Sequence, residues 1–138
     1  MSVEIQAATT AITGPVTVLV VEDETLIRLL GSDTLRDEGF DVVTAASAAE
    51  AIAVLESGGR VDFVFTDVTM PGAMNGVGLA NWIRVLRPGL PFAVTSGVPR
   101  LRLFELGLRD EDTYVAKPVD FAVLVRHIRS VVAARTPV

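Results

Sequence analysis

The chain has 138 residues, no cysteine, one histidine and a formal net charge of −5, from 12 basic and 17 acidic residues. Half of the residues are apolar, which is enough to bury the core of one domain. The acidic balance disfavours broad electrostatic binding to nucleic acid or anionic lipid. The missing cysteines exclude disulfides and thiol catalysis, and a single histidine argues against an all-protein zinc site.

The two ends of the chain differ in composition from its middle. Residues 1–15 are rich in Ala and Thr and have no sustained period, which predicts a flexible N-terminal tail. The chain begins without the pattern of a secretory signal, and its apolar runs are too short to span a bilayer. We therefore expect a cytoplasmic protein with one domain at residues 16–135 and a C-terminal tail at 136–138. A stand-alone domain is the expectation, and a segment cut from a larger protein is the alternative.

From residue 16 onward, short apolar runs rich in β-branched residues alternate with segments of helical period. Strands are predicted at residues 17–21, 41–44, 63–66, 92–95 and 114–116. Helices are predicted to begin near residues 26–30, to cover 48–55 and 79–86, to occupy a shorter part of 99–109, and to cover 121–132. This alternation is typical of a (βα)5 doubly wound α/β fold, with helices on both faces of a five-stranded parallel sheet.

Polar side chains follow four of the five predicted strands. The first strand runs into Glu22 and Asp23, the third into Asp67, the fourth into Ser96 and the fifth into Lys117. Ligands of such sheets bind outside the carboxyl ends of the strands. The sequence therefore predicts that these side chains share one rim of the sheet.

The carboxylates of Glu22, Asp23 and Asp67 would repel one another at this rim unless a cation lay among them. Oxygen ligands with room for water and phosphate suit Mg²⁺, and Mn²⁺ could substitute. Lys117 is the only lysine among the twelve basic residues, and its compact ammonium suits a phosphoryl oxygen or a carboxylate. Taken singly, the acidic run could be a helix start and Asp67 a turn residue.

Four segments together resemble the receiver domains of two-component response regulators. They are VLVVEDE at residues 18–24, FTDVTMPG at 65–72, PFAVTSG at 91–97 and YVAKP at 114–118. The resemblance spans nearly the whole predicted domain, and it implies a flavodoxin-like sheet with the strand order 2-1-3-4-5.

The resemblance also implies roles for particular residues. Asp67 matches the phosphoacceptor, which agrees with a carboxylate nucleophile that forms an acyl phosphate. Asp23 matches the direct metal ligand, and Glu22 matches the acidic neighbour that reaches the metal through water. Thr69 lies where the family supplies a backbone carbonyl to the metal. Lys117 matches the lysine that contacts the phosphoryl group.

Two further positions match the conformational switch of the family. Ser96 aligns with the hydroxyl residue that binds the phosphoryl group, and Thr95 is the alternative if the register slips by one residue. Tyr114 aligns with the aromatic residue that turns inward when Ser96 moves, which would change the partner-binding surface. Simple packing in the core remains open for Tyr114.

The expected function is therefore Mg²⁺-dependent transfer of a phosphoryl group to Asp67 from a histidine kinase or a histidine phosphotransfer protein. A downstream protein partner is expected, with a homodimer as a further option, and no direct binding to nucleic acid or membrane. Enzymatic action would be limited to self-phosphorylation from a phosphodonor and autodephosphorylation. The alternatives are an interaction module that works without phosphate, a Mg²⁺-dependent phosphatase with an aspartate nucleophile, and a flavin-binding domain of similar winding.

Overall fold

A computed structural model describes residues 14–134 of the chain. Its strands are β1 (Thr17–Val21), β2 (Asp41–Ala45), β3 (Phe63–Asp67), β4 (Phe92–Ser96) and β5 (Thr113–Ala116). Its helices are α1 (Thr25–Asp37), α2 (Ala48–Glu56), α3 (Gly76–Leu86), α4 (Arg100–Glu105) and α5 (Phe121–Ala134). Most of the predicted N-terminal tail, residue 135 and the predicted C-terminal tail lie outside the described residues.

The strands form one parallel sheet in the order β2-β1-β3-β4-β5. This confirms the predicted α/β fold and its strand order. Three strands extend one residue further towards their carboxyl ends than predicted, because the ladder continues there; for example, the Val68 N–H donates to the Thr95 carbonyl at 3.0 Å. As a result, Asp67 and Ser96 are the last residues of their strands.

The helices cover both faces of the sheet. On one face, α1 and α5 bury side chains such as Leu35, Leu124 and Ile128 against β1 and β3. On the other face, α2, α3 and α4 pack against the alternate residues of the strands. The three central strands are covered on both sides, so their runs are apolar throughout rather than alternating. Within residues 14–134, no helix has both the length and the apolar character needed to cross a membrane.

Helix α3 begins very close to the end of β3. Asn75 caps this helix, since its Oδ1 accepts from the Gly78 N–H at 2.9 Å, and the Gly76 N–H donates to the Val68 carbonyl at 2.9 Å. A Cβ atom at Gly76 would lie 2.1 Å from the carbonyl oxygen of Asp67. Only glycine permits this approach, which fixes the segment after Asp67 against the sheet.

Candidate functional site

Three carboxylates meet at the carboxyl ends of β1 and β3. One oxygen each from Glu22, Asp23 and Asp67 lies within 4.8 Å of the others. Glu22 and Asp67 are each only 6% exposed, whereas Asp23 is exposed. The parallel pairing of Val21 with Thr66 brings these chain segments together, as the strand-end pattern predicted.

Lys117 reaches the same cluster from the end of β5. Its Nζ donates to Oδ2 of Asp67 at 3.0 Å, across 50 residues of sequence. The side chain of Lys117 is 35% exposed, and that of Asp67 is 7% exposed. One oxygen of the buried carboxylate is therefore paired with a partly exposed ammonium.

The pKa of Glu22 is raised from 4.5 to about 7. Burial is the largest cause, because it disfavours the charged carboxylate, and the nearby Asp67 raises the pKa further. The Glu24 N–H, which donates to Glu22 Oε2 at 3.0 Å, and the charge of Lys117 act in the opposite direction. With the residues of the site alone, the ionised form of Glu22 is therefore disfavoured.

The pKa of Lys117 is raised above its ordinary 10.5. Burial by itself would lower this pKa, but the hydrogen bond to Asp67 and the negative charges of Asp67, Glu22 and Glu24 more than offset the effect. Lys117 is thus held as an ammonium against the carboxylates.

The donor set fits Mg²⁺. Its members are all carboxylate oxygens, and they lie close enough to share one ion. A bound cation would also favour the ionised form of Glu22, which burial and the nearby Asp67 disfavour. Hard oxygen ligands and an open, partly solvated rim are what Mg²⁺ prefers.

Thr69 lies on the loop that follows β3. Its side chain is exposed, and its backbone N–H donates to Oδ1 of Asp67 at 3.3 Å. The backbone of this loop, rather than the threonine side chain, therefore contacts the central carboxylate. Thr66 adds a second local restraint, since its hydroxyl donates to the Asp67 carbonyl at 2.9 Å.

Ser96 and Thr95 face opposite sides of β4. The Oγ of Ser96 accepts from the Val98 N–H at 2.9 Å at the start of the following loop. Thr95 instead lines a cavity together with Phe65 and Phe121, on the face covered by α1 and α5. Since Thr95 pairs with Asp67 in the parallel register, Ser96 lies one residue beyond Asp67 along the rim.

Tyr114 is half-buried on β5, among residues of the cluster that includes Val94 and Leu103. Its hydroxyl lies 3.1 Å from the carbonyl oxygen of Ser96 and 2.9 Å from that of Val98, so its one proton is shared between two acceptors. The ring of Tyr114 packs in the core, and its hydroxyl connects β5 to the loop after β4.

Sequence reasoning missed two residues that shape the site. Arg28, in the first turns of α1, donates from Nη1 to the carbonyl of Glu22 at 2.8 Å and so holds the backbone of the acidic turn. Gly76 allows α3 to approach the backbone of Asp67, and it was not among the predicted site residues. Glu22 and Arg28 are six residues apart, which is not the i, i+4 spacing of neighbouring side chains on a helix. The sequence therefore gives no local signal for the contact of Arg28 with Glu22.

The profile of the response regulator receiver domain matches residues 18–129. The chain belongs to this family. Receiver domains are the phosphoacceptor signalling domains of two-component systems, and their own catalysis is limited to autophosphorylation and autodephosphorylation. The family binds Mg²⁺ and interacts with histidine kinases and phosphotransfer proteins.

Individual relatives agree with the family assignment. The sensor kinase CckA of Brucella abortus is 42% identical over 89 residues, which are 64% of this chain and 9% of that protein. A receiver protein from Sinorhizobium medicae superimposes with a TM-score of 0.78 and 31% identity, covering 88% of this chain and 97% of the other. The response regulator TrrA of Thermotoga maritima, solved in complex with Mg²⁺-BeF, superimposes with a TM-score of 0.72 and 29% identity over 84% of this receiver domain and 98% of that chain.

The curated relatives are much longer than this receiver domain. The chain spans 9% to 53% of the length of the first relatives that it matches.

Proposed function

We propose that Asp67 accepts a phosphoryl group from a phosphorylated histidine on a partner protein, in a reaction that depends on Mg²⁺. One observation carries the proposal: Lys117 Nζ lies 3.0 Å from Asp67 Oδ2 in the same cluster as Glu22 and Asp23. A buried carboxylate that is flanked by one ammonium and two further carboxylates is suited to receive a group with several negatively charged oxygens.

The transfer forms one bond and breaks another. An oxygen of the Asp67 carboxylate attacks phosphorus while the P–N bond to the donor imidazole breaks. The imidazole leaves with the bonding electron pair and takes up a proton. The transition state of such a transfer is loose, so the protein acts mainly by alignment and by neutralising charge on the phosphoryl oxygens.

Two groups of residues would help to neutralise the negative charge on the phosphoryl oxygens. Lys117 is held as an ammonium beside Asp67, ready to move from the carboxylate to a phosphoryl oxygen. Glu22, Asp23 and Asp67, with the backbone carbonyl of Thr69, would hold Mg²⁺, which when bound would supply further positive charge to the phosphoryl oxygens. Mn²⁺ can use the same oxygen donors.

Ser96 and Tyr114 would link phosphorylation of Asp67 to a change in the surface that binds a partner. The hydroxyl of Ser96 accepts from Val98 N–H and still has its own proton to donate to a phosphoryl oxygen. A shift of this loop would reach Tyr114, because its hydroxyl binds the carbonyls of both Ser96 and Val98. The expected consequence is a changed surface on α4, β5 and α5, where a downstream protein or a second copy would bind.

A histidine kinase, a histidine phosphotransfer protein, or both in turn are the phosphodonors that this proposal requires. A cytoplasmic location and a domain that extends over residues 16–135 belong to the same proposal. The absence of cysteine from all 138 residues is compatible with a reducing compartment.

The test uses acetyl phosphate, Mg²⁺ and intact-mass measurement. The wild type is expected to gain one phosphate that is lost on mild alkaline treatment, whereas Asp67→Asn gains none. Asp37→Asn, which removes an exposed carboxylate at the end of α1, is the matched control and should behave like the wild type. A phosphate adduct on Asp67→Asn, or none on the wild type with any small phosphodonor, would refute the proposal.

A further inference from the structure

A cavity of about 220 Å³ lies beneath α1 and α5, on the face of the sheet opposite α3 and α4. The sheet contributes Val20 and Phe65 to its wall, and the helices contribute Gly31 and Phe121. An apolar cavity of about 150 Å³ is already large enough to hold benzene. This cavity can therefore accept one substituted ring or a branched aliphatic molecule of similar size.

Gly31 keeps the cavity open. It is buried within α1, where glycine is less favourable than alanine by about 1 kcal/mol. A Cβ atom added there would meet Phe121 Cζ at 3.6 Å, which is an ordinary contact distance. Packing does not require glycine at this position, and the missing side chain leaves space between α1 and α5.

The entrance to the cavity is apolar as well. Ile27 and Leu30 line it, yet 46% of the surface of Ile27 and 70% of that of Leu30 remain accessible to solvent. Exposed side chains of this kind at the mouth of a cavity provide a path of apolar contacts from solvent to the interior.

Thr95 is a buried polar residue of the wall. This residue is 4% exposed, and within the described residues its Oγ1 has no hydrogen-bond partner. A buried hydroxyl without a partner is unfavourable, and water in a mainly apolar cavity lacks the two to four partners that hold it. A ligand that carries one hydroxyl or carbonyl group would provide the missing partner.

We propose that this cavity is a binding site for a small, mainly apolar molecule with one hydrogen-bonding group, of which a phenol is the simplest example. Thr95 selects for the polar group, and the walls formed by Phe65 and Phe121 select for the ring. The site borders the acidic cluster, since Glu22 and Lys117 also line the cavity. Binding to it does not depend on the phosphoryl transfer proposed above.

The test titrates the full chain with para-fluorophenol and with fluorobenzene, followed by fluorine NMR and by the amide shifts of Gly31 and Thr95. Saturable binding of both probes with shifts at these amides is expected. Thr95→Val should weaken para-fluorophenol by about fivefold to tenfold relative to fluorobenzene, because only the phenol loses a hydrogen bond. Thr34→Val is the matched control, since the Thr34 hydroxyl binds the Leu30 carbonyl in its own helix, and it should change neither affinity.

A filling substitution tests the volume directly. Gly31→Leu is expected to abolish binding of both probes, and Gly31→Ala, which the contact distance shows to be compatible with folding, is expected to weaken both. The assignment is overturned if neither probe binds saturably at millimolar concentration, or if folded Gly31→Ala binds both as tightly as the wild type. An unchanged ratio of the two affinities in Thr95→Val overturns the role of the hydroxyl.

Discussion

The ammonium of Lys117 donates to the carboxylate of Asp67 at 3.0 Å, and this ion pair joins the ends of two strands that are not neighbours in the sheet. Strand β4 lies between them, so the lysine must reach across its end. A long flexible side chain suits this span. Its ammonium brings a positive charge to the cluster of carboxylates. Position 117 therefore affects the charge of the site, and the proposed function also gives it a contact to the incoming phosphoryl group.

Lys117→Gln is expected to slow phosphorylation of Asp67 by acetyl phosphate by roughly 10- to 100-fold, because a neutral amide does not compensate charge on the phosphoryl oxygens. Lys117→Arg retains the charge with a wider group, so its rate should lie between those of Lys117→Gln and the wild type. Rates are measured from the growth of the phosphorylated mass. Equal rates for Lys117→Gln and the wild type would contradict a contact with the phosphoryl group.

The stability of the metal-free protein is expected to decrease as pH rises from 4.5 to about 7. Unfolded Glu22 titrates near 4.5 and folded Glu22 near 7, so in this window the folded state binds more protons than the unfolded state. The free energy of unfolding therefore falls with pH, by at most roughly 3 kcal/mol. Urea unfolding at a series of pH values measures this, and a flat or rising wild-type profile would contradict it.

Two comparisons assign the pH effect to Glu22. Glu22→Gln stays neutral in both states, so the decrease across this window should be much smaller in this variant. Mg²⁺ is expected to stabilise the wild type more strongly as pH rises towards and above 7, because binding requires ionised Glu22 and releases its proton. Stabilisation by Mg²⁺ that is independent of pH would argue against Glu22 as a ligand.

Gly76→Ala is expected to lower the free energy of unfolding by about 1–3 kcal/mol, since the new Cβ would lie 2.1 Å from the Asp67 carbonyl oxygen and the backbone must shift. This backbone shift would also displace Asp67, the proposed phosphoacceptor, so phosphorylation of Asp67 should become slower. Gly59→Ala is the control, because the nearest atom to a Cβ there is Ser57 Oγ at 3.7 Å. Equal effects of the two substitutions on the free energy of unfolding would show that the close approach of α3 to Asp67 does not require glycine at position 76.

Tyr114→Phe is expected to lower the free energy of unfolding by about 1 kcal/mol, because the hydroxyl no longer donates to the carbonyls of Ser96 and Val98. The rate of phosphorylation should remain near that of the wild type, while the change in the amide shifts of α4 and β5 on phosphorylation should become smaller. NMR spectra with and without phosphodonor measure this change. An undiminished response would leave Tyr114 with a packing role only.

The sequence by itself determined the fold class, the five strands and the set of residues at their carboxyl ends. The reason is physical: buried parallel strands require apolar runs of limited length, and polar residues mark where each run stops. Glu22, Asp23, Asp67 and Lys117 could therefore be assigned to one rim, and the structure brings them together. The resemblance to receiver domains supplied the strand order, which periodicity does not contain.

Only the tertiary structure decided how these residues interact. The raised pKa of Glu22 depends on its burial in the folded domain. The hydrogen bond from Arg28 to the Glu22 carbonyl depends on the direction of α1 relative to the end of β1. The cavity beside Thr95 likewise depends on the distance between α1 and α5 and on the missing side chain at Gly31. Such features arise from packing between segments far apart in the chain, whereas sequence patterns report the periodicity within each segment.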